Sequence, residues 1–296
     1  MKVLLTGASG FIGRHVLGRL KKHNIDTIVA GRNLPDNVSP ADFIQIDMLE
    51  HSDFVGLVAE SGATHLLHLA WYTEHGKYWS SPLNIRWVEA TTRLVDGFCL
   101  SNGKKVVVAG TCAEYDWSFG YCREDITPLN PDTLYGIAKD STRRLVMAIC
   151  AQYKIPCAWG RIFLPYGQGE NCRRLIPSLI EVFQGKKTPF KVNATAFRDF
   201  LHADDLAEGF MKLLLTDATG AYNICSGQPV QIGELVRHIA ELYDANPQAI
   251  LELSTNCSDA PSMLVGDNQK IKALGWEARY SLADYASGWS GDATRT

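Results

Sequence analysis

Tyr135 and Lys139 stand four residues apart, a spacing that puts two side chains on one face of a helix, one turn from each other. An ammonium beside a phenol favours the phenolate, so the pair can form a tuned acid or base. A free phenol titrates near pH ~10, too high for easy proton exchange at neutrality. Of the eleven tyrosines in the chain, only Tyr135 has a lysine four positions on. Such pairs also occur on ordinary surface helices. What gives this one a chemical meaning is the start of the chain.

The chain opens with a short apolar run, Val3 to Thr6, that leads straight into glycines at 7, 10 and 13. From Phe11 to Lys22 the pattern is that of an amphipathic helix, with Ile12, Val16, Leu17 and Leu20 on one face. Strand, glycine turn and helix are the context of a dinucleotide site. Gly7 permits a tight turn, Gly10 lets backbone approach a pyrophosphate, and Gly13 lets the helix pack on the strand. The helix N-terminus offers free N–H groups and a positive dipole end. The spacing is G-x-x-G-x-x-G, and its position at the head of an alternating pattern favours a cofactor turn over an ordinary strand-to-helix turn.

The next strand, from Asp26 to Ala30, runs into Gly31-Arg32-Asn33. An NAD site normally places an acid at this end for the ribose hydroxyl, and an arginine accommodates the extra phosphate of NADP. There is no acid here, and Arg32 can fork onto a phosphate or stack on adenine. NADP is therefore the expected cofactor, with NAD as the alternative.

The remaining patterns place these residues in an α/β fold. Strands are expected at Val3–Thr6, Asp26–Ala30, Asp42–Ile46, His65–Leu69, Lys105–Ala109 and Cys157–Ile162, and helices between them include Leu83–Leu100 and Thr133–Tyr153. That alternation predicts a Rossmann-type, doubly wound parallel sheet. After Leu164 the rhythm breaks into shorter units around Pro165, Gly167, Gly169 and Pro189. The expected division is a dinucleotide-binding domain over 1–163, with 197–226 returning to it, and a smaller C-terminal substrate lobe from 164–196 and 227–286. The polar stretch 287–296 reads as a disordered tail.

The chain has 296 residues and a net charge of −3, with its charges interspersed. No basic block argues for nucleic acid, and no run is long and apolar enough for a membrane span. Met1-Lys2-Val3 enters a strand directly, without a signal peptide. The eight cysteines (99, 112, 122, 150, 157, 172, 225 and 257) form no C-x-x-C pair and read as reduced thiols of a cytoplasmic protein. His65 and His68 belong in or beside a strand, since no second ligand cluster accompanies them and no metal is expected.

Thr6–Gly13, Asp47, His68-Leu69-Ala70, Asn84, Thr111, Tyr135/Lys139 and Arg198-Asp199-Phe200-Leu201-His202 follow the order seen in the extended short-chain dehydrogenase/reductases. The resemblance spans about residues 1 to 280 and is closest to the nucleotide-sugar branch, the NAD-dependent epimerase/dehydratase family. It implies an enzyme in which Tyr135 donates or accepts a proton, Lys139 lowers its pKa and holds the nicotinamide ribose, and Thr111 supplies a hydroxyl to the substrate oxygen. It further implies a cofactor site drawn from Gly7, Ser9, Gly10, Phe11, Ile12, Gly13, Arg32, Asp47, Met48, Leu69, Ala70 and Ile162. Asp47 would contact adenine, although its type also suits a helix N-cap. On the substrate side it implies Trp71, Tyr72, Cys112, Arg173 and Arg198, with Arg198 gripping a nucleotide diphosphate unless it pairs with Asp204 or Asp205.

Dehydratases of this branch carry an Asp-Glu pair directly after the threonine. Here those positions are Cys112 and Ala113, and strand alternation would turn the following Glu114 to the other face. A ketoreductase or an epimerase is therefore expected. Arg32 favours the reductase, and Trp71-Tyr72-Thr73-Glu74-His75-Gly76-Lys77 resembles a loop of CDP-abequose-synthase-type 4-ketoreductases. Leu164 stands where the epimerases place an amide, and Ser258-Asp259-Ala260-Pro261-Ser262 replaces a segment that carries a second diphosphate arginine; Arg173, Arg174 or Lys191 could substitute for it. For Trp71, Trp79 and Trp87 core packing is the competing role, above all for Trp87. The leading expectation is NADPH-dependent reduction of the 4-keto group of a nucleotide-linked 4-keto-6-deoxyhexose. The alternatives are a nucleotide-sugar 4-epimerase with tightly held NAD, a reductase of a non-sugar carbonyl, and a non-catalytic NADP sensor. By analogy with the family, the helices Leu83–Leu100 and Thr133–Tyr153 would pair two subunits as a homodimer.

Overall fold

In the computed structural model, which describes residues 1–254 and 261–282, seven parallel strands form the central sheet. β1 (Lys2–Thr6) lies between β2 (Asp26–Gly31) and β4 (His65–His68). Outside β2 is β3 (Phe43–Gln45). Outside β4 come β5 (Lys105–Thr111), Cys157–Ile162 and Gly220–Ile224, in that order. The chain thus leaves β1 in one direction, reaches β3, and crosses back to β4. That reversal makes a switch point at the carboxyl ends of β1 and β4, where ligands of open α/β sheets bind.

The helices that cover the sheet are α1 (Phe11–Lys22), α2 (Phe54–Ser61), α3 (Leu83–Leu100), α4 (Leu134–Gln152) and Ala203–Leu215. The two faces bury separate apolar clusters. Val3, Leu5, Val16 and Leu20 meet Leu206 and Phe210 on one side; Leu4, Leu66, Leu94, Phe98 and Val146 fill the other. Alternation along β1 sends Val3 and Leu5 one way and Leu4 the other, as a strand covered on both faces requires.

A third cluster joins Ile176, Leu179 and Ile180 of Leu175–Phe183 to Leu235, Val236 and Ile239 of Ile232–Leu242. Beside it a four-stranded sheet runs Val230–Gln231, Phe197–Arg198, Met263–Gly266 and Tyr121–Cys122, and Phe200–His202 pairs with Leu164–Tyr166. Tyr121–Cys122, which precedes α4, was not legible as a strand, because two residues carry no periodicity. Phe197–Arg198 and Phe200–His202 lie in these small sheets, whereas Gly220–Ile224 lies in the central one. Residues 255–260 and 283–296 fall outside the described residues, so the replaced segment at Ser258–Ala260, Cys257 and the polar tail are not placed. Among the described residues no helix is long and apolar enough to cross a membrane, and no group of three or more His, Cys, Asp or Glu could hold a metal ion.

Candidate active site

The glycine turn after β1 is shaped by close approaches of backbone. Gly7 has φ +77°, and a Cβ on it would lie 2.7 Å from the amide nitrogen of Ala70. A Cβ on Gly13 would lie 1.9 Å from the carbonyl oxygen of Gly7, so α1 can rest on the turn only without a side chain there. Gly10 is the exposed N-cap of α1 and provides no side-chain cap, which leaves the first N–H groups of that helix facing outward. These features fit a dinucleotide pyrophosphate, with Gly10, Phe11, Ile12 and Gly13 as the residues that would hold it. Leu69 and Ala70 back directly onto Gly7. Ser9 is exposed, Met48 is buried in the cluster with Leu4 and Leu66, and Ile162 is half-buried.

Arg32 is exposed at the carboxyl end of β2, and its carbonyl accepts a hydrogen bond from Gln45. Asp47 is exposed and accepts from the Leu49 N–H at 3.0 Å, so it caps a turn rather than a helix. It also lies on the wall of a groove of about 690 Å³ between β3 and α2. That groove carries Asp47, Glu50, Asp53 and Glu60 but none of the residues around Tyr135, and its carboxylates repel phosphate. The residues singled out by type and spacing meet instead at the ends of β4 and β5.

His68 is fully enclosed, bonded through Nδ1 to Thr6 at 2.7 Å and through Nε2 to Thr91 at 3.0 Å. Burial, with the charge of Lys139 adding to it, lowers its pKa to about 3. It is a neutral core histidine. β5 runs two residues beyond the expected end at Ala109 and stops at Thr111, where the Thr111 hydroxyl accepts from the Ala113 N–H at 3.2 Å and starts a short 3-10 turn. The turn, and not strand alternation, takes Glu114 away from the site: it is fully buried beneath β5. Cys112 and Ala113 are buried beside Thr111, and burial raises the Cys112 thiol far above its usual range.

α4 begins at the Thr133 cap and brings Tyr135 and Lys139 to Thr111, as their spacing requires. Tyr135 is 8% exposed, with the rings of Tyr78 and Trp79 set edge-on to it at 4.8 and 5.6 Å. Here the structure corrects the expected effect of Lys139. Burial raises the Tyr135 pKa, a hydrogen bond with Thr111 works against that rise, and Lys139 is not among the groups that shift it. The Lys139 ammonium donates to the Ala109 carbonyl at 2.6 Å and sits 4.2 Å from the centre of the Trp71 ring. A shared helix face brings two side chains into the same space, but the dry site penalises the phenolate more than it helps it. The phenol is therefore held protonated, which suits a proton donor. Burial likewise lowers the Lys139 pKa to about 7, against the opposing charge of Glu114.

Trp71 stacks on Trp87 at 5.9 Å and donates to Asn84 at 2.9 Å, so Trp87 packs as core and Trp71 bridges core and site. Tyr72 is turned toward the surface, where its hydroxyl donates to Glu74 at 2.9 Å. Arg173 is exposed, and neighbouring Arg174 lies 3.8 Å from the buried Glu170. Arg198 is half-buried and donates to the Phe197 carbonyl at 2.8 Å. The competing ion pairs do not form. Asp204 is held by His15 and Arg19, and Asp205 accepts from the Arg279 and Tyr280 N–H groups. Sequence reasoning missed Tyr78 as a wall of the site. Its adjacency to Trp79 was the available signal.

Residues 3–225 match the description NAD dependent epimerase/dehydratase family. The chain belongs to that family. Over 252 residues it is 27% identical to dTDP-6-deoxy-L-talose 4-dehydrogenase (NAD(+)) of Aggregatibacter actinomycetemcomitans, covering 81% of this chain and 90% of the relative. It is 25% identical to a trifunctional UDP-glucose 4,6-dehydratase/UDP-4-keto-6-deoxy-D-glucose 3,5-epimerase/UDP-4-keto-L-rhamnose-reductase of Arabidopsis thaliana over 94% of this chain. It spans only 44% of that relative's length. Among solved structures, MoeE5 in complex with UDP-glucuronic acid and NAD superposes with a TM-score of 0.82 at 26% identity, covering 97% of both chains. A UDP-glucose 4-epimerase of Thermus thermophilus superposes equally well at 20% identity, which speaks for the fold alone. The family is NAD-dependent, and its fold is the Rossmann-like α/β fold described above.

Proposed function

We propose that the protein reduces the 4-keto group of a nucleotide-linked 4-keto-6-deoxyhexose, with NADPH as the preferred cofactor. The observation that carries this reading is the set of groups at the end of β5: one protonated phenol, one hydroxyl and no second acid–base pair, since Cys112 and Ala113 stand where dehydration needs carboxylates. When bound at Gly10, Phe11, Ile12 and Gly13, a dinucleotide would supply the hydride. Thr111 hydrogen-bonds the substrate oxygen, and Tyr135 gives it a proton as negative charge develops there. Lys139, one turn along the same helix, would hold the ribose of the dinucleotide. Tyr78 and Trp79 present an apolar wall at Tyr135, which suits a deoxy carbon better than a charged one. Arg198 and Arg173 are the cations we assign to the nucleotide diphosphate. The cluster around Leu179 and Val236 would serve as the substrate lobe, and the exposed Ile85, Ile137 and Leu145 on α3 and α4 support pairing of two copies through those helices.

The reading is tested by incubating the protein with 4-keto-6-deoxy nucleotide sugars and NADPH, and by replacing Tyr135 with phenylalanine. Turnover should fall by about a hundredfold or more, the usual contribution of a positioned proton donor, with dinucleotide binding retained. Full turnover in Tyr135→Phe would remove the central role. A 4-epimerase with tightly held NAD is the second reading, favoured by the family's NAD dependence and by the NAD-bound structural relative. Stoichiometric NAD released on denaturation would select it.

A further inference from the structure

Glu114 is a charged side chain at 0% exposure that the proposed reaction does not use. One of its oxygens accepts from the Thr111 N–H at 2.9 Å and from the Trp159 indole N–H at 2.8 Å. The other accepts from Arg161 at 2.8 Å and lies 3.8 Å from Arg143. The face of the Trp159 ring in turn lies 5.4 Å from the Lys139 ammonium. A single carboxylate thus touches the backbone that presents Thr111 and the ring that faces Lys139.

The space around this contact is closed. A Cβ on Gly110 would fall 2.0 Å from the Trp159 indole nitrogen and 2.8 Å from the Glu114 oxygen, so β5 needs a glycine just before Thr111 for the bond to exist. Burying a carboxylate is costly unless it is paired, and here it is shared among more donors than one ion pair requires. An indole whose N–H donates to an anion carries more negative charge on its ring face, and such a face is a better seat for a cation. Lys139 needs that help. It is enclosed by His68 on β4, Tyr135 on its own helix, and Glu114, with Arg161 and Arg143 behind the carboxylate; its neutral neighbours include Trp71 and Ala109. Of these groups only Glu114 brings negative charge.

We infer that Glu114 is a positioning residue of this site, keeping Lys139 in its ammonium form through Trp159 and fixing the end of β5 that presents Thr111. The inference rests on the assignment of Thr111, Tyr135 and Lys139 to the reaction, but its test does not depend on the substrate. Trp159→Phe keeps a ring facing Lys139 and removes the N–H donor. Glu114→Gln keeps the shape and removes the charge.

The measurement is the titration of Lys139 in the full-length protein without substrate, followed by NMR of carbon-13-labelled lysine side chains, with the Lys139 signal identified by its loss in Lys139→Met. Its midpoint, about 7 in the wild type, should fall by roughly one pH unit in Glu114→Gln and by a smaller amount in Trp159→Phe. If Glu114→Gln does not fold, Trp159→Phe carries the test by itself. A wild-type midpoint in Trp159→Phe overturns the route through the indole. A wild-type midpoint in a folded Glu114→Gln overturns the whole inference. Full turnover in Lys139→Met would instead overturn the catalytic reading of Lys139, whatever the titrations show.

Discussion

Replacing Gly13 with alanine should cost the protein its dinucleotide site before it costs the fold. The added Cβ would sit 1.9 Å from the Gly7 oxygen, 2.7 Å from the Gly7 carbonyl carbon and 2.8 Å from the Ala8 Cα. All three are backbone atoms, so no side chain can swing aside. Ordinary contact begins near 3.4 Å, and 3.4 − 1.9 leaves about 1.5 Å of helix displacement to find. α1 is not free to supply it, because His15 and Arg19 tie it to Asp204 at 2.7 and 3.3 Å, and Arg19 also reaches Glu208 at 3.3 Å. Overpacking of this kind costs about 1–3 kcal/mol. With roughly 2–4 °C lost per kcal/mol in a domain of this size, the melting temperature should drop by several degrees. The first-turn N–H groups move with the helix, so dinucleotide affinity should fall by at least about tenfold, the equivalent of 1.4 kcal/mol. Gly18→Ala on the same helix is the control. A Cβ there meets nothing within 4 Å, and removing a mid-helix glycine should stabilise by about 0.5–1 kcal/mol with affinity unchanged. Melting curves with and without NADPH or NADH, with affinity from nucleotide fluorescence, read both quantities. Wild-type binding and melting in Gly13→Ala would refute the packing argument, as would an equal loss of affinity in Gly18→Ala.

Arg32→Ala should lower the ratio of NADPH to NADH turnover by about tenfold or more, the worth of one charge-assisted contact to the added phosphate; an unchanged ratio removes Arg32 from cofactor choice. His68 gives a pH dependence of stability. Its folded-state pKa, about 3, lies below the unfolded value near 6.5, so the folded state holds fewer protons between them. Its contribution is complete above about pH 6.5 and is lost as the pH falls toward 3. The melting temperature should therefore decline through that window, and less steeply in His68→Gln; parallel curves for the two proteins would show that the acid sensitivity arises elsewhere.

The glycine turn and the positions of six of the seven central strands were legible in the chain because both rest on local rules. Glycine spacing sets a turn whatever surrounds it, and a strand covered on both faces must be apolar at successive positions, as Val3, Leu4 and Leu5 are. The meeting of Tyr135 with Lys139 is also local, since a helix imposes it. What they do to each other is not. The sequence implies an acidified phenol; tertiary burial reverses the sign, because desolvation depends on Tyr78, Trp79 and the sheet end, which arrive from distant parts of the chain. Likewise Tyr72 and Trp71 are neighbours in sequence, yet one faces Glu74 at the surface and the other lies against Lys139. Glu114 is the clearest case: only the packing of the Cys157–Ile162 strand against β5 brings Trp159 and Arg161 to it, and no spacing rule connects residues 47 positions apart. Sequence determined which groups the site can use, because residue types and short spacings set chemistry and local geometry. Tertiary structure decided their charge, because charge in a buried site depends on what encloses it.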